Sequence, residues 1–313
     1  MITQAFVLGA GLGTRLLPLT EDLPKPLIPI YQKPLITFVL DHLISIGVRS
    51  FVINTHHRPE PFRELFAGGN YRGHSVQLVH EPEILGTGGG IKNVESLLRD
   101  ELFISYSGDI LTDIDLERLI DEHFRAGNDV TIALRESGLG KDVAVEGTRV
   151  VDITNRYGHE GRYDFANIAI WTRAVFDRIP VGQHVSYIPI LAEWIGHGGK
   201  IGGVILNDRK WFNIGNRREY LAVHRAIADE NWRPAYVAES EWPVRVAPDA
   251  QIDPSAELSG FYSIGAGCRL GAGATIENTI LWKGAQMASR CRLRNCIVRS
   301  HHHAQGTLSD TDI

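Results

Sequence analysis

The sequence contains no long apolar run and no excess of positive charge. A membrane-spanning helix needs about 18 or more consecutive apolar residues, and no segment reaches that length. No signal peptide stands ahead of the first predicted strand, so we expect a cytoplasmic protein without a membrane partner. Lys and Arg number 32 against 37 Asp and Glu, a formal net charge of −5. This balance offers no broad cationic surface for nucleic acid, and we expect no nucleic-acid partner.

Cysteine is also scarce. Cys268, Cys291 and Cys296 are the three cysteines, and all lie late in the chain. Their odd number and clustering argue against a disulfide framework, so we expect three reduced thiols used for packing.

Two widespread phosphate-binding patterns are missing. The glycines after the first apolar run are spaced G-x-G-x-G, which is not the dinucleotide pattern G-x-G-x-x-G, and no Walker loop occurs. Four prolines follow, and they forbid the helix that a dinucleotide fold would start on the pyrophosphate: Pro18, Pro24, Pro26 and Pro29.

The same stretch still has the residues of a phosphate site. After the apolar residues 5–8, a glycine turn leads to Arg15 and then to Lys25, which stands between two prolines. Glycine lets backbone N–H groups approach an anion, arginine matches phosphate oxygens bidentately, and lysine acts as a point charge. A plain connecting turn is the alternative, but the combination favours phosphoryl or nucleotidyl transfer.

The order of apolar runs predicts the fold class. The 313 residues are enough for one large domain and one smaller domain. Short apolar runs at residues 5–8, 50–54, 76–79 and 102–106 alternate with helical patterns, one ending at Gly47 and one between Asp115 and Gly127. Such alternation predicts an α/β, Rossmann-like, mostly parallel sheet with helices on both faces.

Near residue 245 the apolar period changes to six. Aliphatic residues recur at that spacing and restart after a five-residue step: Val246, Ile252, Leu258, Ile264, Leu270 and Ile276, then Leu281, Met287 and Leu293. One aliphatic residue per hexad is typical of a parallel β-helix. We predict a catalytic domain at residues 1–235 and a short left-handed β-helix at residues 246–299. Because a few coils cannot cover their own ends, we expect this tail to support a homo-oligomer.

Asp109 follows the fourth predicted strand, in the sequence Ser107-Gly108-Asp109. In an open α/β sheet, ligands bind beyond the carboxyl ends of the strands, where the glycine loop also begins. A carboxylate that faces bound phosphates is a candidate Mg²⁺ ligand, although an aspartate that caps its own turn is the alternative.

Five motifs together resemble the sugar-1-phosphate nucleotidyltransferases, in particular the mannose-1-phosphate guanylyltransferase-like branch with C-terminal hexapeptide repeats. The resemblance covers nearly the whole chain and rests on the hexad tail and four segments: GAGLGTRLLPLT with PKPLIPI (residues 9–20 and 24–30), GTGGGI (86–91), SGDILTDIDL (107–116) and WFNIGNRREYL (211–221).

The resemblance implies that a sugar 1-phosphate attacks the α-phosphorus of a nucleoside triphosphate and expels pyrophosphate. Catalysis would then consist of positioning and charge neutralisation, with Arg15 and Lys25 as catalytic residues and Mg²⁺ bound by Asp109 and Asn213. Asn167 would bind the sugar. The implied nucleotide-binding residues are Leu8, Gly9, Ala10, Gly11, Gly13, Thr14, Glu81, Gly86 and Thr87.

Three positions leave the specificity open. Asn213 stands where many relatives have a carboxylate, which would weaken Mg²⁺ binding. Glu81 suits the N1–H and 2-amino donors of guanine and favours GTP, but it could also accept from uracil or be a solvated loop acid. In the sugar segment the usual glutamate and lysine are missing; Arg156 or Arg162 could replace the phosphate clamp.

Function therefore has one main prediction and three alternatives. We expect a Mg²⁺-dependent nucleotidyltransferase that uses GTP and makes a GDP-sugar. A uridylyltransferase or another nucleotide and sugar pairing is one alternative, and a non-catalytic regulatory subunit is another. A hexapeptide acyltransferase is disfavoured because residues 246–299 contain no histidine.

Overall fold

The structure, a computed structural model, describes residues 1–138, 140 and 142–313. Its chain forms two compact units. The first unit comprises Met1–Gly11, Val39–Gly108 and Thr112–Trp211, and the second comprises Leu12–Phe38, Asp109–Leu111 and Phe212–Ile313. The boundaries of these units differ from those of the predicted domains at residues 1–235 and 246–299. The two domains stay a prediction.

The strands before residue 215 are, in chain order, β1 (Gln4–Leu8), β2 (Pro29–Ile30), β3 (Lys33–Pro34), β4 (Ser50–Thr55), β5 (Asn70–Tyr71), β6 (His74–His80), β7 (Leu102–Ser107), β8 (Ile110–Thr112), β9 (Val130–Arg135), β10 (Val143–Glu146), β11 (Arg149–Ile153), β12 (Asp164–Thr172), β13 (Ile201–Ile205) and β14 (Trp211–Asn213). The α-helices are α1 (Leu35–Ser45), α2 (Glu60–Leu65), α3 (Gly86–Asn93), α4 (Leu116–Ala126), α5 (Tyr187–Gly196) and α6 (Arg217–Glu230). Short 3₁₀ helices cover Thr14–Leu16, Leu19–Glu21, Lys25–Leu27, Arg173–Arg178 and Glu239–Glu241.

A ten-stranded sheet forms the centre of the first unit, in the order β10-β11-β13-β9-β12-β7-β1-β4-β6-β5. Strand β1 pairs in parallel with β4 on one side and with β7 on the other, so Leu8 lies opposite both Asn54 and Ser107. The Gly108 N–H donates to the Leu8 carbonyl at 2.9 Å. The carboxyl ends of these strands therefore meet at one sheet edge, as the sequence predicted.

One strand in the middle of the sheet runs against its neighbours. Strand β12 is antiparallel to both β7 and β9, and β9 pairs in parallel with β13. The fold is thus a mixed α/β fold with a large, mostly parallel sheet. The apolar residues of β12 contain no information about the direction of the strand, which depends on the long connection that precedes it.

Helix α4 shows how local sequence sets the element boundaries. The Asp115 carboxylate accepts from the backbone N–H groups of Glu117 and Arg118, and Gly127 ends the helix in the left-handed region at φ 59°. An N-cap of this kind stabilises a helix by about 1 kcal/mol. Both predicted ends of the helix are confirmed.

Aromatic stacking fills the core of the first unit beneath β7 and β12. Phe103 stacks on Phe176 with ring centroids 5.5 Å apart and on Trp171 at 6.5 Å. These three side chains are at most 1% exposed. Truncating one of them to alanine is expected to cost about 3–5 kcal/mol, because the cavity left behind adds to the lost burial.

The second unit has two apolar clusters. One joins the proline-rich segment to α6 and the chain beyond it, with Leu16, Leu19 and Ile28 buried beside Tyr220 and Trp282. Buried polar groups in this cluster pair with one another: Tyr220 Oη donates to the Pro29 carbonyl at 2.6 Å and accepts from Trp282 Nε1 at 3.0 Å.

The other cluster contains the hexad residues. The strands after residue 245 are β15 (Gln251–Ile252), β16 (Glu257–Ile264), β17 (Arg269–Leu270), β18 (Thr275–Leu281), β19 (Gln286–Met287), β20 (Arg292–Arg294), β21 (Ile297–Val298), β22 (His303–Ala304) and β23 (Thr307–Ser309). They pair in parallel as β15-β17-β19-β22 and β16-β18-β20-β23. Leu258, Ile276, Leu293 and Leu308 lie in register across the second of these sheets. Parallel stacking of the hexads is compatible with the coils of a β-helix.

In the described part of the chain, no helix combines the length and the hydropathy needed to cross a membrane.

Candidate functional site

An ion pair joins two of the predicted residues in the second unit. Lys25 Nζ donates to Asp109 Oδ2, and the side chains are 10% and 24% exposed. Lys25 lies in a 3₁₀ turn in which the Leu27 N–H donates to the Pro24 carbonyl at 2.8 Å. The prolines on either side limit the backbone of this turn, so Lys25 is presented from a rigid segment. The lysine ammonium group is therefore fixed beside the carboxylate.

Gly13 shapes the loop that carries Arg15. Its φ is +65°, and a Cβ added there would lie 2.8 Å from Thr20 Cγ2. Thr20 Oγ1 in turn donates to the Gly13 carbonyl at 3.0 Å. Only glycine suits both the left-handed backbone and the close approach. The loop holds Thr14 and Arg15 exposed to solvent.

Asn213 lies beside Asp109. The Ile214 N–H donates to the Asp109 carbonyl at 3.1 Å, which places the end of β14 against the start of β8. A Cβ added to Gly215 would lie 3.2 Å from Arg15 Nη2. The second unit therefore brings together Arg15, Lys25, Asp109 and Asn213, and their catalytic and metal-binding roles stay a prediction.

The Asn213 side chain has an unsatisfied oxygen. Its Oδ1 is buried and has no hydrogen-bond partner among the described residues. A buried acceptor without a partner costs about 1–3 kcal/mol, so a ligand that uses this oxygen would recover that free energy. Carboxylate and amide oxygens are ligands that Mg²⁺ accepts, and Asp109 and Asn213 supply one of each.

No larger ligand cluster exists in residues 1–138, 140 and 142–313: three His, Cys, Asp or Glu side chains do not meet at any point. Mg²⁺ commonly takes only one or two protein oxygens and completes its shell with water and substrate phosphates. The residues present fit that mode of binding.

The first unit holds the remaining predicted residues. At the end of β1, the Gly9 N–H donates to Asn54 Oδ1 at 2.8 Å, Ala10 is buried and Gly11 is exposed. Leu8 accepts from Gly108 through its carbonyl. The loop therefore leaves the sheet edge with its first N–H bound to a protein side chain.

Glu81 is buried, with 1% of its surface exposed. Its Oε1 accepts from Asn54 Nδ2 at 2.7 Å, and its Oε2 accepts from the Leu85 N–H at 3.1 Å. The predicted alternative of a solvated loop acid does not describe this environment. Its role in reading a base stays a prediction.

Gly86 and Thr87 begin α3. Thr87 Oγ1 accepts from the Tyr187 N–H at 3.1 Å. The N–H groups of Gly88 and Gly89 both donate to the Val185 carbonyl, at 2.8 and 3.1 Å. The start of α3 is thus held by the segment that leads into α5, and its nucleotide-binding role stays a prediction.

Asn167 lies at an irregularity of β12 that changes the direction of its side chain. It lies at a break in the register between β12 and β9, with φ of 58°. A bulge with a left-handed asparagine turns the side chain out of the regular alternation. Its Oδ1 accepts from Tyr187 Oη at 3.4 Å, so an aromatic hydroxyl lies beside the predicted sugar ligand.

Asp152 anchors the segment that contains Arg156. Its carboxylate accepts from the backbone N–H groups of Arg156, Tyr157 and His159, at 2.7–3.1 Å. Burial acts to raise the pKa of Asp152, but these N–H donors together outweigh it and lower the pKa. Arg156 packs over the Tyr157 ring and Arg162 over the Tyr163 ring. The role of either guanidinium as a phosphate clamp stays a prediction.

Sequence reasoning missed Asn54. The signal was available, because Asn54 follows the apolar residues 51–53 as a polar side chain at the end of a strand, the criterion that selected Asp109. Asp152 gave no such signal, since its three partners are backbone groups of a loop whose shape the sequence did not predict.

The chain is similar to known proteins of one family. A family model described as nucleotidyl transferase matches residues 4–230. The chain is 30% identical over 298 residues to the mannose-1-phosphate guanylyltransferase of Mycobacterium tuberculosis, which covers 92% of this chain and 82% of that protein. It is 24% identical over 351 residues to the UTP–glucose-1-phosphate uridylyltransferase of Synechocystis sp., covering 99% of this chain and 90% of that protein.

Among solved structures, the inositol-1-phosphate CTP transferase from T. maritima has a similar fold. The TM-score is 0.60 at 19% identity, and the match covers 70% of this chain and 91% of that chain. The names of these three proteins refer to three different bases, so similarity does not identify the base that this chain uses.

Proposed function

Because the chain belongs to the nucleotidyl transferase family, and within it to the sugar-1-phosphate nucleotidyltransferases, we propose that it joins GTP and mannose 1-phosphate into GDP-mannose and pyrophosphate. The observation that carries this proposal is the meeting of Lys25, Asp109 and Asn213 in the second unit, with Asn213 Oδ1 buried and unsatisfied.

The proposed reaction is an in-line displacement. An oxygen of the sugar phosphate attacks the α-phosphorus, a new P–O bond forms, and the bond to pyrophosphate breaks, with the electron pair leaving on pyrophosphate. No enzyme nucleophile or proton transfer is needed, so the side chains act through position and charge. Arg15 holds the triphosphate, and Lys25 neutralises charge on the phosphoryl oxygens.

The other predicted residues bind the substrates. We assign nucleotide binding to Leu8, Gly9, Ala10, Gly11, Gly13, Thr14, Gly86 and Thr87. Asn167 binds a sugar hydroxyl, supported by its bulge geometry.

Asp109 and Asn213 are the residues that would hold Mg²⁺. When bound, the ion would neutralise triphosphate charge and help to orient the phosphates. The unsatisfied Asn213 oxygen supports this assignment.

The preference for GTP and mannose 1-phosphate rests on the name of the 30% identical relative from Mycobacterium tuberculosis. The uridylyltransferase of Synechocystis sp. makes UTP with a glucose phosphate the alternative pairing.

The test is pyrophosphate release over a grid of GTP, UTP, ATP, dTTP and CTP against mannose, glucose, N-acetylglucosamine and heptose 1-phosphates, with Mg²⁺. The strongest signal is expected for GTP with mannose 1-phosphate. A strong row for another base would correct the substrate. Silence across the grid together with tight binding of an NDP-sugar would instead identify a regulatory subunit, which the asparagine at position 213 makes the second candidate.

We further propose that the parallel coils form a left-handed β-helix and that this tail supports self-association in a cytoplasmic protein. The support is the hexad register and the narrow apolar interior. Sedimentation velocity of the full chain tests the assembly, and a monomer at micromolar concentration would contradict it.

A further inference from the structure

Tyr187, the first residue of α5, contacts two residues that are assigned to different substrates. Its backbone N–H donates to Thr87 Oγ1 at 3.1 Å, and its hydroxyl donates to Asn167 Oδ1 at 3.4 Å. Thr87 is assigned above to the nucleotide and Asn167 to the sugar. Tyr187 is 4% exposed, so a single buried residue of the first unit adjoins both of these groups.

The backbone of Tyr187 is held against the start of α3. The carbonyl of Val185, two residues earlier, accepts from the N–H groups of Gly88 and Gly89 at 2.8 and 3.1 Å. An α-helix leaves the N–H groups of its first turn without partners inside the helix, and at Tyr187 the partner is the Thr87 hydroxyl. The start of α5 therefore takes its position from the start of α3.

The ring of Tyr187 is fixed from two sides. It contacts Phe165 edge-on and Trp171 at a tilt of 55°, with ring centroids 5.6 Å apart in both pairs. Trp171 is fully buried, and its Nε1 donates to Ser105 Oγ at 2.7 Å. Side chains in such a core keep one rotamer. The Tyr187 hydroxyl therefore stays at a fixed point beside β12.

This hydroxyl orients the amide of Asn167. The oxygen and the NH₂ group of an asparagine exchange places when the amide turns over, and hydrogen bonds select one orientation. The bond from Tyr187 to Oδ1 favours one of the two, and it is the only hydrogen bond of the Asn167 side chain in the described part of the protein. In that orientation Nδ2 keeps two N–H donors for the oxygens of a sugar.

We propose that Tyr187 is a positioning residue for the sugar: its hydroxyl sets the orientation of the Asn167 amide, and its backbone ties that amide to the start of α3. The inference rests on the proposed function, because it takes Asn167 as the sugar ligand and α3 as part of the nucleotide site. Tyr187 acts through Asn167 and does not itself touch the sugar.

Tyr187→Phe tests the proposal, because it removes only the hydroxyl and keeps the packing of the ring. KM for mannose 1-phosphate should rise about fivefold, the effect of losing one neutral hydrogen bond, while KM for GTP stays unchanged. Calorimetry gives a readout without turnover. The Kd of GDP-mannose should rise by the same factor, and the Kd of GDP should not change. UDP-glucose and UDP are measured in the same way for the alternative pairing.

A double-mutant cycle shows whether the hydroxyl acts through the amide. Asn167→Gly removes the amide, and glycine adopts the φ of 58° at this position without strain. This variant should raise the Kd of GDP-mannose about tenfold. Adding Tyr187→Phe to it should change that Kd by less than about twofold, because the group through which the hydroxyl acts is already missing.

Tyr157→Phe is the matched control. The Tyr157 hydroxyl donates to the Ala192 carbonyl of α5 at 2.8 Å, so this variant also removes a tyrosine hydroxyl bond that involves the same helix. A general loosening of α5 would lower Tm in both variants. Only Tyr187→Phe should change the Kd of GDP-mannose.

Independent effects that multiply to roughly fiftyfold in the double variant would overturn the proposal, because Tyr187 would then contact the sugar itself. An unchanged Kd of GDP-mannose in Tyr187→Phe, or an equal loss for GDP, would overturn it as well. So would a wild type that binds neither NDP-sugar more tightly than the matching nucleoside diphosphate. A wild type that does bind an NDP-sugar more tightly but releases no pyrophosphate would overturn only the proposed function.

Discussion

Buried polar side chains in the two units differ in whether the protein supplies their hydrogen-bond partners. In the first unit, Asn54 and Glu81 find every hydrogen-bond partner named above inside the protein. In the second unit, Asn213 keeps a buried oxygen without a partner in the described chain, beside the ion pair of Lys25 and Asp109. The first arrangement stabilises a loop geometry, and the second leaves capacity for a ligand. Hydrogen-bond satisfaction therefore distinguishes these two places in the molecule, although both contain an asparagine and a carboxylate.

The largest expected effect concerns Lys25 and Asp109. Lys25→Ala or Asp109→Ala should lower kcat on the order of a hundredfold, because in the proposed mechanism Lys25 neutralises charge on the phosphoryl oxygens and Asp109 holds Mg²⁺. The fold should persist, since neither side chain belongs to an apolar cluster. Steady-state kinetics at saturating Mg²⁺ and substrate, with Tm measured in parallel, provides the check.

Lys200→Ala, at an exposed lysine of the first unit, is the control and should retain wild-type kcat. Equal activity in Lys25→Ala would remove Lys25 from the mechanism.

More of the fold than of the candidate site could be predicted from the sequence. The strands at residues 5–8 and 102–106 and both ends of α4 follow from short-range patterns, so the sequence was sufficient. The antiparallel direction of β12 depends on tertiary packing, and no local pattern indicates it.

Within the site, the local sequence predicts the backbone around Lys25 but does not predict the orientation of the Glu81 side chain. Lys25 lies between prolines that fix its backbone, but its ion pair with Asp109 was not predicted from the sequence. The resemblance to the family predicted that Glu81 contacts the base, and a solvated loop acid was the alternative. Whether a carboxylate faces inward or outward depends on Asn54 and Leu85, which other segments of the chain supply. The sequence alone does not give that orientation.

Two buried histidines, His42 and His224, are further polar groups that the protein itself supplies with hydrogen-bond partners. Burial lowers the pKa of His224 from 6.5 to about 4 and that of His42 to about 3. His224 donates through Nδ1 to the Tyr220 carbonyl at 2.9 Å and accepts at Nε2 from the Tyr31 N–H at 3.4 Å. The neutral ring is thus part of the packing.

Stability should therefore fall as pH falls. Below about pH 6.5 the unfolded chain binds protons that the folded chain refuses, and this continues down to the folded pKa values. Each histidine contributes about 1.4 kcal/mol per pH unit within its window. Denaturant unfolding from pH 7 to pH 4.5 measures this slope.

His224→Gln should reduce that slope by about 1.4 kcal/mol per pH unit. His303→Gln, at an exposed position, is the control and should leave it unchanged. An unaltered slope in His224→Gln would mean that the ring is already protonated in the folded state.

The unsatisfied oxygen of Asn213 suggests a test of Mg²⁺ binding. Asn213→Asp replaces an amide by a carboxylate and should lower the Mg²⁺ concentration for half-maximal activity by about fivefold, because the added charge strengthens binding of a hard cation. A titration of activity with Mg²⁺ measures this. Asn70→Asp carries the same charge change at an exposed site and should show no shift. A shift of the same size in both variants would assign the effect to net charge.

The smallest effect is expected for substitution of Arg299, whose guanidinium has hydrogen-bond partners at Nη1 but none at Nε in the described chain. Its Nη1 donates to Glu21 Oε2 at 2.8 Å, Asp22 Oδ2 at 3.1 Å and the Pro18 carbonyl at 3.2 Å, while its Nε is buried without a partner in the described chain. These contacts hold the turn whose Thr20 binds the Gly13 carbonyl. Arg299→Gln should raise KM for the nucleotide about twofold to threefold through this turn, with kcat unchanged, since partly exposed ion pairs contribute little. Arg292→Gln, exposed on β20, is the control. A turn that only positions the glycine loop affects nucleotide binding and not the chemical step. A fall in kcat instead of a rise in KM would therefore show that Arg299 influences the reaction itself.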